Sequence, residues 1–179
     1  GDLDAPANEQ ISNELLRCWL KNPSSIEDQK IEDKSKEYHV GTRINVFKQV
    51  KTFVENSENE NKESRMFILT GVAGIGKSVI SSKLCKPAGI TDLEGIDVIA
   101  KFFCGHDAKI YHEPTSVLRT IAYQLSQHSW LRSYRDLLLG KTVDCFKKYD
   151  LNSLFIKLFQ EPLRNEECKR ELELRAKKS

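Results

Sequence analysis

Residues 71–78 read GVAGIGKS, and this segment restricts the possible folds more than any other in the 179-residue chain. It follows a short apolar run, RMFILT at 65–70. It precedes SVISSKLC, where Val79, Ile80, Lys83 and Leu84 fall at helical spacing. Gly71, Gly76, Lys77 and Ser78 complete the pattern G-x-x-x-x-G-K-[ST], with Gly74 as an additional glycine and Val72, Ala73 and Ile75 filling the loop. Glycines allow backbone angles and close approaches that a β-carbon blocks, so successive N–H groups can point inward at an anion. A helix that starts here adds its unpaired N–H groups and the positive end of its dipole. The segment from Gly71 to Val79 therefore reads as a cradle for a polyphosphate. Lys77 would lie against the β- and γ-phosphates, and the Ser78 hydroxyl would ligate Mg²⁺. The plainer alternative is a glycine-rich turn with an incidental Gly-Lys-Ser; the strand-like run before it and the helix-like run after it favour the cradle.

The rest of the composition narrows the setting. Lys plus Arg is 28 and Asp plus Glu is 26, a net charge of +2 that supplies no general attraction to nucleic acid. No apolar run reaches the ~20 residues that span a bilayer, and GDLDAPANEQ at the start lacks the basic and apolar parts of a secretory signal. The expectation is a cytoplasmic chain. The 5 cysteines show no CxxC spacing and are expected as reduced, buried hydrophobes. Cys104, His106 and His112 lack a fourth ligand and fit no structural zinc spacing.

Along the chain, Ile11, Leu15, Leu16, Trp19 and Leu20 predict an amphipathic leader helix that stops near Pro23. Residues 26–38 alternate charges without a clear period and read as a solvated linker. Val46, Phe47, Val50, Phe53 and Val54 mark a second helix, and DVIAKFFC at 97–104 a second buried strand. Helices are predicted from Pro114 to about Leu125, from Trp130 to Leu139, and onward from Asp150 as a cap. The charged tail 164–179 is expected to be a frayed helix or disordered. This divides the chain into a helix and linker (1–40), a partial nucleotide-binding domain (41–163) and a tail. The fold class expected is α/β, a partial parallel sheet of the phosphate-loop NTPase kind, flanked by helices.

A phosphate loop binds; turnover also needs a carboxylate on a neighbouring strand to hold the metal and a group to orient water. Asp107, after IDVIAKFFCGH, and Glu161, in LFIKLFQEP, are the candidates, and neither terminates a clear strand.

With these residues in hand, the chain resembles the NACHT branch of the STAND-type signal-transduction NTPases over roughly residues 11–163. The resemblance rests on Trp19-Leu20, HVGTR at 39–43, RMFILTGVAGIGKSVISSKLC, KFFCGHD, SVLRTIAYQLSQ at 116–127 and LNSLFIKLFQEPL at 151–163, in that order. It implies that Gly41, Thr42 and Arg43 lie near the adenine and ribose, the alternative being a helix start capped by Thr42. Arg119 is expected on a solvated helix face. The resemblance also implies ATP, or GTP, with Mg²⁺ as the ligand and a regulatory switch as the role. In such proteins an acidic strand follows the LFIKLFQEPL-like segment, whereas here RNEECKRELELRAKKS follows. The expectation is the front part of an NTPase module, with weak hydrolysis and an open sheet edge that favours self-association or a protein partner. Two other readings remain open. One is a small phosphotransferase using Asp92, Glu94, Asp97, Arg132 or Arg135. The other is an interaction module that has lost nucleotide binding and uses Cys18-Trp19.

Overall fold

The computed structural model describes residues 5–20, 24–57, 66–87, 89–104, 113–141 and 149–176. The chain divides into two compact units, Ser25–Val98, here the middle unit, and Gly1–Ser24 with Ile99–Ser179, here the flanking unit. Asp107, His106, His112 and Cys145 lie outside the described residues.

The middle unit contains α2 (Ser24–Lys36), α3 (Ile44–Ser57), α4 (Lys77–Cys85) and a 3-10 turn at Thr91–Leu93. The segment expected as a linker is thus a helix. Its charges pair along one face, Lys34 with Glu37 at 2.7 Å and Lys36 with Asp33 at 3.6 Å, while Ile31 is fully buried. Lys86, just past α4, pairs with Glu32. The stripe of α3 sends Phe47 and Val50 into a core with Ile80 of α4, Ile90 and Leu93. Leu69 packs against that core, and Phe67 tilts onto Phe53 with ring centroids 5.6 Å apart.

The flanking unit is built from α1 (Ala5–Leu20), α5 (Pro114–Ser126), α6 (Arg132–Leu139), α7 (Leu151–Phe155), α8 (Glu161–Leu163) and α9 (Glu166–Ala176). Leu16 and Leu20 of α1, Ala122 and Leu125 of α5, Tyr134 and Leu138 of α6, and Leu154 of α7 form one core. Between α7 and α8 the helix widens to a π-turn over Ile156–Gln160. Pro162 explains it, since it has no N–H to return to the preceding turn. The carbonyls there find side chains instead: the Tyr134 hydroxyl donates to Leu158 O at 2.9 Å, and Lys141 Nζ donates to Lys157 O at 3.0 Å. The tail is ordered as α9, whose Cys168 is buried and whose Glu171 accepts from the Ser133 N–H and hydroxyl at the head of α6.

The expected α/β class with a partial parallel sheet is not what forms: among the described residues there is no strand. Residues 66–70 and 96–104 carry no regular secondary structure despite their β-branched and aromatic content, since a strand also needs a hydrogen-bonded neighbour. In the second run, side chains of α5 and of the turn that follows it take that place. Gln124 Oε1 accepts the Lys101 N–H at 2.7 Å, its amide donates to Lys101 O at 3.0 Å, and His128 Nε2 lies 2.7 Å from Ile99 O. Arg119, expected in solvent, is buried at 9% exposure, and that burial lowers its pKa from the usual arginine value. Of the cysteines, Cys168 is buried, Cys85 half-buried, and Cys18 and Cys104 exposed.

Candidate functional site

The glycine loop sits between Leu69, fixed in the core of the middle unit, and Ile80, fixed in the same core one turn into α4. Both ends are therefore anchored while the loop itself stands clear. Val72 is 74% exposed and Ile75 43%. The Ile75 N–H reaches Val72 O at 3.4 Å, closing a turn in which Gly74 has φ 80°. A positive φ at that third turn position is the reason a glycine belongs there. Gly76 follows at φ 91° and ψ 23°, immediately before α4.

No side chain caps α4, and its first helical bond runs from the Ile80 N–H to Gly76 O. The N–H groups of Lys77, Ser78 and Val79 precede that bond, so they are the orphan donors of a helix head. The Lys77 side chain folds back over the loop, and Nζ donates to Gly71 O at 2.7 Å and to Val72 O at 2.9 Å. An ammonium has three N–H bonds. Two are held by these carbonyls, which fixes the charge over the loop and leaves one to turn toward an anion. The Ser78 side chain is exposed in the first turn of α4. One hydroxyl is a poor metal site alone, but it suits Mg²⁺, which takes its other ligands from phosphate oxygens and water.

The second cluster of expected site residues is a tight turn. The Thr42 N–H and hydroxyl both donate to His39 O, at 3.1 and 2.6 Å, and the Tyr38 hydroxyl donates to Thr42 O at 2.8 Å. Gly41 has φ 82° and Arg43 φ 60°. Thr42 therefore closes the turn, and α3 begins with the Val46 N–H bonded to Arg43 O at 3.0 Å. The Arg43 guanidinium reaches the loop: a β-carbon placed on Gly76 would stand 3.1 Å from Nη2 of Arg43 and 3.5 Å from its Cζ. Gly41 has nothing within 4 Å of the same construction. Tyr38 was not singled out in the sequence, yet it ties this turn together and meets Phe47 edge-on at 5.7 Å. An aromatic directly before HVGTR is the signal that could have found it.

The flanking unit has an apolar groove of about 730 Å³ lined by Pro114, Val117, Leu118, Leu151 and Phe155. Its acidic lining residue, Asp150, has its carboxylate engaged by the head of α7. Among the described residues there is no cluster of three His, Cys, Asp or Glu side chains suited to a metal ion, and no helix is long and apolar enough to cross a membrane.

The sequence profile of the family described as Nephrocystin 3, N-terminal matches residues 42–174, and the chain belongs to that family. The match starts at the HVGTR turn, includes the glycine loop and runs through most of α9. No curated protein and no solved structure matches the chain.

Proposed function

We propose that this chain is a nucleotide-binding module that takes Mg-ATP, or alternatively Mg-GTP, within a signalling NTPase of the NACHT or STAND type. The observation that carries this reading is the Lys77 ammonium, held over the loop by Gly71 O and Val72 O at the uncapped head of α4. Gly71 to Val79 would wrap the phosphates with main-chain N–H groups, and Ser78 would ligate the Mg²⁺ that the phosphates carry. Gly41 and Thr42, in the turn that leads into α3, are assigned to the base and ribose. The proposal is one of binding, with weak hydrolysis, because a loop of this kind grips phosphates without orienting a water. A regulatory role follows, in which the nucleotide state governs contact with a protein partner or a second copy. Met66, Ile68 and Val72, exposed at 69, 68 and 74%, are apolar groups beside the loop that such a contact could cover.

Titration of the purified chain with Mg-ATP and Mg-GTP, with released phosphate followed in the same samples, tests the reading. Saturable binding that is lost in Lys77→Ala supports it. Binding of equal strength in that variant refutes it.

A further inference from the structure

Arg43 is the one non-glycine residue with a positive φ among the described residues, at 60°. An L-residue adopts that conformation against its own β-carbon, and such backbone clusters at ligand-binding and switch sites. Here the turn imposes it. Gly41 reverses the chain, Thr42 is bonded twice to His39 O, and the Tyr38 hydroxyl holds Thr42 O. The result is a guanidinium laid against Gly76, the residue immediately before Lys77, close enough that a β-carbon there would press on it.

Among the described residues the Arg43 guanidinium has no ion-pair or hydrogen-bond partner, and Lys77 bonds only to neutral carbonyls. One cation is thus held over the loop and another lies against Gly76, just before α4, and among the described residues no carboxylate is paired to either. Like charges gathered in this way are unfavourable until an anion joins them. Arginine also differs from lysine in presenting a planar fork that takes two oxygens of one phosphate.

We propose that Arg43 binds the terminal phosphate of the nucleotide beside Lys77, and so reads the length of the phosphate chain and not the base. This rests on the nucleotide-binding reading above. Gly76 then has two functions, reversing the backbone ahead of α4 and leaving room for the guanidinium.

The test is calorimetric titration of the full chain with Mg-ATP, Mg-GTP, Mg-ADP and inorganic tripolyphosphate, for the wild type and for Arg43→Gly, Arg43→Asn and Arg43→Lys. Glycine and asparagine both accept the left-handed conformation, so these variants remove the guanidinium without straining the turn. Expected is a loss of about tenfold in affinity for ATP, GTP and tripolyphosphate alike, the usual scale for a charge-assisted hydrogen bond. ADP should lose less, and Arg43→Lys should recover part of the loss. The thermal midpoint of Arg43→Gly should equal or exceed that of the wild type, which a purely structural brace would not allow. Unchanged tripolyphosphate affinity in Arg43→Gly and Arg43→Asn would overturn the proposal, as would a loss confined to one base. A wild-type chain that binds none of the four probes removes the nucleotide reading itself; one that binds them with Arg43 indifferent removes this inference alone.

Discussion

In the flanking unit the head of α7 is closed by Asp150 and the head of α6 by Glu171, whereas in the middle unit α4 begins after Gly76 with no side-chain cap. The carbonyls released by Pro162 are likewise met from within, by Tyr134 and Lys141. The glycine loop instead directs its one ammonium onto its own carbonyls and leaves the helix head open. Polar groups satisfied internally stabilise a fold, while polar groups left facing outward cost stability unless a ligand completes them. The heads of α6 and α7 therefore differ from the head of α4 in whether side chains satisfy their N–H groups, and substitutions should separate the two cases.

The largest effect is expected in the loop. Lys77→Ala should reduce Mg-ATP affinity at least about a hundredfold, roughly 2.7 kcal/mol, while leaving the thermal midpoint close to wild type. Calorimetry and thermal unfolding on one preparation check both halves. A large loss of stability would mean the lysine is a structural clamp for Gly71 and Val72, and the contrast between the units would fail.

Tyr134→Phe is the converse. The phenol is fully buried, burial pushes its pKa far up, and its hydroxyl serves Leu158 O. Removing it strands a buried carbonyl, at a cost of about 1–3 kcal/mol in unfolding free energy measured by denaturant titration. Nucleotide affinity should not move. Together with Lys77→Ala this gives a double dissociation, and a Tyr134→Phe variant of unaltered stability would show that the π-turn carbonyl is satisfied in some other way.

Gly74→Ala isolates backbone strain. A β-carbon there meets nothing within 4 Å, so the φ of 80° is the sole obstacle. The expected cost is about 1–2 kcal/mol, distributed between stability and phosphate affinity. If affinity falls and stability holds, the loop takes up its shape only when gripping an anion.

How much of this was legible in the sequence depends on the range of the forces involved. Helices with a sustained apolar stripe were readable because their signal is local, and so was the Asp150 cap, whose partners Asn152 and Ser153 are two and three residues away. The glycine loop was readable as a motif for the same reason. The expected sheet was not, because FILT and DVIAKFF look like strands on their own residues, while strand pairing depends on what lies alongside. For residues 99–101 that neighbour is a pair of side chains, Gln124 and His128, which no local pattern announces. The helix at 24–36 is not legible because its charges alternate without a clear apolar period, and among the positions 28–36 whose burial is described Ile31 is the one fully buried residue. Arg43 was legible as part of a turn, but its reach to Gly76, across the intervening α3, belongs to tertiary structure.

The smallest expected effect tests the internally satisfied side of the contrast through pH. The Asp150 carboxylate accepts from the Ser153 hydroxyl at 2.6 Å and from the Ser153 and Asn152 N–H groups at 3.1 and 3.0 Å. Those bonds, the Ser153 hydroxyl first, hold its pKa below the ordinary aspartate value of 3.8. A carboxyl depressed in the folded state contributes stability that is present above its unfolded pKa and is lost as pH falls through the folded one. Asparagine caps a helix about as well as aspartate, since its carbonyl accepts the same N–H groups, but it does not titrate. Asp150→Asn should therefore match the wild type at pH 7 and lose less stability between pH 5 and pH 2, whereas Asp150→Ala should be weaker at every pH. Parallel acid-unfolding curves for wild type and Asp150→Asn would mean that the charge contributes nothing beyond the geometry of the cap.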